Sequence, residues 1–286
     1  MNDQQLLAEQ FETHRDHLRG IAYRMLGSTG EADDAVQEAW LRLGRAEPGS
    51  IETLGGWLTT VVARVCLDLL RSRKSRRAEP MAARVPDPIV STSEEEALLA
   101  ESIGLALLVV LETLAPAERL AFVLHDMFGV SFEEIAPIVE RTPTAARQLA
   151  SRARRRVQGA ATPDADRARQ NEVVSAFLAA AHGGDFAALV AVLDPDVVLR
   201  ADRGAGETVE LRGAETVARN ASLFHKLAPA NRVEKRAWVN GGPGTIVFVD
   251  GEPFSIVGFT IAGGRIVEMD ILADPARLAR LALPPM

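Results

Sequence analysis

The chain has 286 residues, 32 Lys and Arg against 39 Asp and Glu, and a formal net charge of −7. At 47% hydrophobic it is globular rather than disordered, and its length suggests about two or three domains. So acidic a chain is not a general coat for nucleic acid, no apolar run is long enough to span a bilayer, and one cysteine excludes an internal disulfide.

The polar start Met1-Asn2-Asp3-Gln4-Gln5 lacks the layout of a signal peptide, which with the cysteine count points to the cytoplasm. Residues 4–26 repeat apolar positions at helical spacing: Leu6, Leu7, Phe11, Leu18, Ile21, Ala22 and Met25. Ser28 followed by Glu31 predicts a capping box that opens a second helix through about Leu43. Val36, Trp40 and Leu43 form its apolar stripe. Asp34, Gln37, Glu38 and Leu41 form a separate stripe at i, i+3, i+4, i+7. Ala46–Thr53, with Pro48 and Gly49, reads as a loop. A third helix from about Leu54 carries Trp57, Leu58, Val61, Val62, Val65 and Leu69 and runs into the basic tract Arg71, Arg73, Lys74, Arg76, Arg77. Cys66, inside it, reads as a small buried hydrophobe.

Pro80, Pro86 and Pro88 predict an extended linker over 78–96. Helices resume at about Ser93 with an acidic first turn, Leu98–Leu111 is strongly apolar, and Ala115-Pro116 opens a helix ending near Phe128-Gly129. Ser131–Val157 then has the pattern of a helix-turn-helix. Ser131 and Glu134 fit a capping box, and Thr142-Pro143 fits an N-cap with proline at the first helical position. Pro137 should kink or shorten the first of the two helices. On the second, Arg147, Gln148, Ser151 and Arg152 share one face at i, i+1, i+4, i+5, and Arg and Gln can read base edges bidentately. Arg154, Arg155 and Arg156 would hold phosphates or be solvated.

Residues 159–170 read as a second linker. Beyond it lie an amphipathic helix Asn171–Ala181 closed by Gly183-Gly184, a further helix capped by Asp185, and the turn Asp194-Pro195-Asp196 before a strand Val197–Ala201. Strand signals follow at Val233–Val239, Thr245–Val249, Phe254–Ile261 and Arg265–Ile271, with turns at Asp250-Gly251 and Gly263-Gly264. Helices followed by an antiparallel sheet predict a separate α+β domain. No Cys/His cluster has metal-ligand spacing, and no cofactor is implied.

In this order and spacing the motifs resemble the extracytoplasmic-function (group 4) RNA polymerase sigma factors. Asp34-Ala35-Val36-Gln37-Glu38-Ala39-Trp40 resembles region 2.2, and Trp57-Leu58 through Leu67-Asp68-Leu69-Leu70-Arg71 resembles regions 2.3 and 2.4. Leu114 through Arg119, and Glu134-Ile135-Ala136 through Ser151-Arg152-Ala153-Arg154, resemble region 4. Residues 171–283 resemble the SnoaL-like (NTF2-like) extension of the SigJ-type subgroup. Three subgroup signatures are partly kept. W-L-P-E-P stands here as Arg84-Val85-Pro86-Asp87-Pro88, D-G-G-G-K as Asp202-Arg203-Gly204-Ala205-Gly206-Glu207, and N-P-D-K-L as Asp274-Pro275-Ala276-Arg277-Leu278.

The resemblance implies a multidomain fold: two all-α sigma domains, a region 2 helical bundle (1–77) and a region 4 helix-turn-helix (97–158), followed by an α+β SnoaL/NTF2-like cone (171–286). It implies docking of Asp34, Gln37, Glu38 and Leu41 on the clamp helices of the polymerase largest subunit, with region 4 at the flap. It implies capture of a flipped −10 base by the Ala46–Thr53 loop, with Trp57, Arg64, Arg71, Arg73 and Lys74 near −10 DNA; burial in the core is the competing role for Trp57. Arg147, Gln148, Ser151 and Arg152 fall to the −35 element. The expected function is promoter-specific initiation, modulated in cis by contacts of Val85, Pro86, Asp87 and Pro88 with Asp202, Gly206, Asp274, Pro275 and Leu278. The chain is then not an enzyme, and a small-molecule ligand in the C-terminal pocket stays open. Two alternatives remain at this point: a conventional helix-turn-helix regulator with a ligand-sensing domain, and a SnoaL-class enzyme using residues such as Asp196, Asp202, His225, Asp250 or Asp270.

Overall fold

Heptad-like apolar spacing does produce the first three helices: α1 (Asp3–Leu26), α2 (Thr29–Leu43) and α3 (Leu54–Arg76). The computed structural model describes residues 3–46, 51, 53–76, 84–93, 104–159, 161–227, 229 and 231–285. It divides into two compact units, Met1–Pro80 with Val110–Gly159, and Met81–Val109 with Ala160–Met286.

In the first unit α1, α2 and α3 pack on one another, and Leu18, Ile21 and Met25 of α1, Ala32, Ala35 and Val36 of α2 and Leu58, Val62 and Leu67 of α3 are all buried. Each such leucine or isoleucine stabilises the bundle by about 1.5–3 kcal/mol relative to exposure. Ser28 caps α2 by accepting from the Glu31 N–H at 3.4 Å. Burial pushes the Cys66 thiol up to about 12, which leaves it an inert space-filler. The carbonyls that α1 exposes at its C-terminus are met by side chains from elsewhere. Arg119 Nη1 donates to Met25 O at 2.6 Å, and Arg73 Nη1 donates to Leu26 O at 3.1 Å.

Helix α4 (Leu105–Glu112) leads into α5 (Pro116–Phe122), which continues through one π-helical turn, Val123–Met127. The helix-turn-helix is α6 (Phe132–Val139) and α7 (Pro143–Val157). Both halves of the expected box at Ser131 form: Ser131 N donates to Glu134 Oε2 at 3.1 Å, and Glu134 N donates to Ser131 Oγ at 3.3 Å. Helix α6 runs through Pro137 and ends two residues later at Val139, where the C-cap Glu140 adopts the left-handed region (φ 56°). The proline leaves the Glu133 carbonyl without its helical donor, while the stop itself is made by the left-handed Glu140, with Arg141 N donating to Ala136 O at 3.0 Å.

The second unit is built on a seven-stranded sheet in the order β1-β4-β5-β6-β7-β2-β3. Its strands are β1 (Val90–Ser91), β2 (Leu193–Asp202), β3 (Thr208–Arg212), β4 (Arg232–Val239), β5 (Gly242–Val249), β6 (Glu252–Ala262) and β7 (Arg265–Leu272). Three hairpin turns, Asn240-Gly241, Asp250-Gly251 and Gly263-Gly264, have positive φ at both central residues. That is the type I′ geometry whose twist matches the flanking strands. Helices α8 (Arg167–Gly183), α9 (Phe186–Val192) and α10 (Ala214–Leu227) complete the unit with the short α11 (Pro275–Leu278). Val174 and Phe177 of α8, Leu189 of α9 and Val217 of α10 form one core with Phe259 and Met269 of the sheet.

Four expectations are corrected here. The sheet is mixed, because β2 pairs with β7 in parallel. Asp194-Pro195-Asp196 is not a turn but lies in β2, where the register shifts between Leu193 and Val198; Pro195 cannot donate to a ladder, so the strand bulges there. Helix α8 begins at Arg167, inside the segment read as linker, because Asp166 caps it by accepting from Arg169 N at 3.1 Å. Residues 84–91 are extended, as X-Pro steps favour, but Val85, Pro86, Asp87 and Pro88 are buried and Val90–Ser91 pairs with β4. The remainder of the 78–96 segment outside 84–93, and residues 94–103 of the helix expected from about Ser93, lie outside the described residues.

Candidate nucleic-acid interface

Helix α7 presents two faces. Ala146, Ala150 and Ala153 are buried against the rest of the domain. Arg147, Gln148, Ser151 and Arg152 are all exposed on the opposite side, as the spacing requires. Arg147 lies over the Phe132 ring with its Cζ 5.1 Å from the centroid, so a cation–π contact orients it from beneath. His125 stacks on the same ring at 3.8 Å. The basic residues at the end of α7 have different duties. Arg154 pairs with Asp126, and Arg156 reaches Glu118 at 2.9 Å. These two fasten α7 to α5 and its π turn, while Arg155 stays exposed.

On α2, Asp34 and Gln37 are exposed, Glu38 is half-buried and Leu41 is 46% exposed. Glu38 already has a local partner in Arg42 at 2.8 Å.

Along α3, Arg64 and Arg71 are exposed and Trp57 is half-buried. The indole ring therefore has both a packed and an open part. Arg73 departs from expectation: it is turned inward, onto Leu26 O and into an ion pair with Glu31, instead of outward as a phosphate contact. The side chain of Lys74, and residues 47–50 and 52 of the expected −10 capture loop, lie outside the described residues.

The subgroup signatures converge within the second unit. Arg277 is their hub. Its Nε donates to Asp87 Oδ1 at 2.6 Å, its Nη1 to Asp202 Oδ2 at 2.7 Å, and its Nη2 to the Val85 carbonyl at 2.7 Å. Asp87, Asp202 and the guanidinium are all buried, and charge-assisted bonds in such surroundings are strong and geometrically demanding. Asp274 caps α11 by accepting from Ala276 N at 2.9 Å, with Pro275 at the first helical position and Leu278 buried beneath. Gly204 permits the close approach: a side chain there would come within 2.7 Å of Asp274 Cγ. Gly206 shapes the same turn from an exposed position with φ 83°. Residues 84–91 thus form a strap fastened at one end by Arg277. At the other end Asn240 Oδ1 accepts from Ile89 N at 3.0 Å, and Asn240 N donates to Ile89 O at 2.8 Å. Sequence reasoning missed Arg277 although it had marked the residues on either side; the signal was a lone cation inside a motif otherwise apolar or helix-capping.

The residues considered for acid–base chemistry are not gathered at one centre. Asp270 is buried beside Arg200 at 3.2 Å; burial pushes its carboxyl up to about 7, against the pull of the guanidinium. His225 lies instead near His182 and Arg232, and burial followed by the Arg232 charge lowers it to about 4. Asp250 sits in a hairpin turn, where it pairs with Asn231.

A helical unit that carries a helix-turn-helix with an exposed basic face thus shares the chain with an α+β unit, and comparisons with known proteins show which class has this organisation. The Sigma-70 region 2 family matches residues 10–76 and the Sigma-70 region 4 family matches residues 104–157. The chain is similar to the probable ECF RNA polymerase sigma factor SigI of Mycobacterium tuberculosis, 35% identical over 284 residues that cover 97% of each chain. It is similar to the ECF RNA polymerase sigma factor SigJ of the same organism, 37% identical, covering 93% of this chain and 91% of the relative. The crystal structure of Mycobacterium tuberculosis extracytoplasmic function sigma factor SigJ superposes with a TM-score of 0.74 at 35% identity, covering 97% of this chain and all of that one. The chain belongs to the extracytoplasmic-function RNA polymerase sigma factors. It is an RNA polymerase-binding, promoter-directing subunit and not an enzyme. Among the described residues no helix is long and apolar enough to cross a membrane.

Proposed function

We propose that this sigma factor directs initiation through three surfaces and that its C-terminal unit regulates their deployment in cis by gripping the strap. The stripe Asp34, Gln37, Glu38 and Leu41 docks on the clamp helices of the polymerase largest subunit, and region 4 engages the flap. Arg64 and Arg71, with Lys74, hold −10 phosphates while the open part of Trp57 stacks on a base; Arg73 serves the bundle. Arg147, Gln148, Ser151 and Arg152 read the −35 element. The working domains are region 2 (1–77), region 4 (97–158) and a C-terminal unit that takes in all of α8 from Arg167, and the protein acts in the cytoplasm, where polymerase is.

The observation that carries the regulatory part is the Arg277 clamp. The strap lies in the chain between the residues that read the two promoter elements, so its effective length sets the separation they can span. Extended chain covers about 3.3 Å per residue. Docking eight residues, 84–91, on the sheet therefore fixes a stretch of connector that would otherwise be free. Tethering gives the contact a high effective concentration, so it needs little intrinsic affinity. The test compares promoter-directed transcription by core polymerase with the full chain and with a chain ending at Gly159. A regulated sigma factor gives initiation from the same start sites at different rates. Equal rates over a range of concentrations would remove the regulatory reading and leave the promoter assignment intact.

A further inference from the structure

The β4–β5 turn, the start of α8 and the start of α4 line a cavity of about 180 Å³. Its lining includes the apolar residues Leu105, Val239 and Phe259. It also includes Arg167 and the buried polar residues Asn240 and Thr260. Arg167 Nη1 is buried, and among the described residues it has no hydrogen-bond partner. Its Cζ lies 5.3 Å from the Trp238 ring, which holds the guanidinium in place without neutralising it. The two neighbouring carboxylates are engaged elsewhere. Asp164 accepts from Gly263 N and Gly264 N, both at 2.8 Å, and Asp166 caps α8.

A buried cationic N–H without an acceptor is costly and calls for an explanation. Guanidinium geometry matches a carboxylate fork. A cavity of about 150 Å³ is already large enough for a benzene ring. We propose that this cavity is a binding site for a small organic carboxylate bearing an aromatic or branched aliphatic group, with the carboxylate on Arg167 and the apolar part against Leu105, Val239 and Phe259. The occupant would then sit beside Asn240, which holds the strap at Ile89 through both its backbone and its side chain. It would also touch Leu105, at the head of the first helix of region 4. Binding therefore favours the docked strap. That consequence rests on the regulatory reading above; the binding itself does not.

Isothermal titration of the full-length protein with benzoate, acetate and benzamide at fixed ionic strength tests the site. The expected result is saturable binding of benzoate at one site, binding of acetate weaker by about tenfold or more for lack of apolar contact, and none of benzamide. Arg167→Gln removes benzoate binding while the circular dichroism spectrum and thermal midpoint stay as in the wild type. Should that variant fail to fold, the contrast between benzoate and benzamide on the wild-type protein decides the matter. Benzoate also slows amide hydrogen exchange at Ile89, Val90 and Ser91. The proposal is overturned if benzoate does not bind, or if benzamide or the Arg167→Gln protein binds as well. Binding without slowed exchange overturns the link to the strap. Failure of the regulatory reading has a different signature, unchanged transcription on loss of the C-terminal unit with benzoate still bound.

Discussion

Arg119 and Arg73 both end on the last carbonyls of α1, while Arg147 and Arg152 of α7 point into solvent. The side chain is the same and the burial differs, so the consequences of substitution differ too. Arg119 is 2% exposed and bonds to Met25 O, Leu111 O and Glu112. Replacing it with alanine leaves Glu112 buried without its cation and two helix-end carbonyls without donors. The expected loss is about 3–5 kcal/mol in chemical denaturation of the first unit. Arg147→Ala should leave stability unchanged within about 0.5 kcal/mol. It should weaken −35-dependent initiation by about 1–3 kcal/mol, read as a rate ratio between matched and mismatched promoters. Cys66 supplies a third check. With its thiol pushed up to about 12 by burial, it should resist alkylation at neutral pH until the bundle is unfolded. Rapid labelling of the native protein would show that α3 is packed differently.

At the scale of elements, His225 gives the second unit a predictable response to pH. It lies near the end of α10, next to His182 and Arg232. Burial lowers it from 6.5 to about 4, so the folded protein holds it neutral where the unfolded chain would protonate it. Its contribution to stability is intact above about 6.5 and is lost as pH falls towards 4. His225→Gln should flatten that part of the profile, measured as thermal midpoint against pH; an unchanged slope between the two proteins would contradict the assignment.

The helices of the first unit were legible because caps and apolar spacing agree: Ser131 with Glu134 and Thr142 with Pro143 mark their own helices, and alanines at i, i+4, i+7 mark the buried face of α7. Three of the four strands from Val233 onward were legible through their Gly-containing turns as well as their β-branched residues. What stayed hidden depends on distant partners. Strand β1 has only two residues and exists because β4 offers an open edge. The parallel pairing of β2 with β7 is a matter of topology, which no local pattern encodes. The short β3 has no fully buried residue to mark it, and α10 went unread although Ala214, Val217, Ala218 and Ala221 repeat at helical spacing, because three of those four are alanines that carry little apolar signal. Arg73 and Arg277 look like solvated cations until the backbone brings carbonyls and carboxylates to them.

At the scale of the whole molecule, family membership and the strap together separate this chain from a conventional repressor or activator. A conventional helix-turn-helix regulator binds its operator alone. This chain should bind promoter DNA tightly and specifically only in complex with core polymerase, because the −10 surface acts on opened strands whose unstacking costs a few kcal/mol per base. A mobility-shift assay with and without core enzyme reads this directly. Strong, sequence-specific binding by the free chain would contradict the division of labour among the three surfaces.

The most direct test of the strap is a point substitution at its fastening. Arg277→Ala removes three hydrogen bonds to Asp87, Asp202 and Val85 without touching any residue assigned to polymerase or DNA. Promoter-directed initiation by core polymerase should be measured with the wild-type and Arg277→Ala full-length chains at matched occupancy of the enzyme. A clamp that governs the connector predicts the same start sites with a rate changed several-fold. Identical rates, with the variant folded and its strap amides exchanging freely, would show that the strap is held for stability alone.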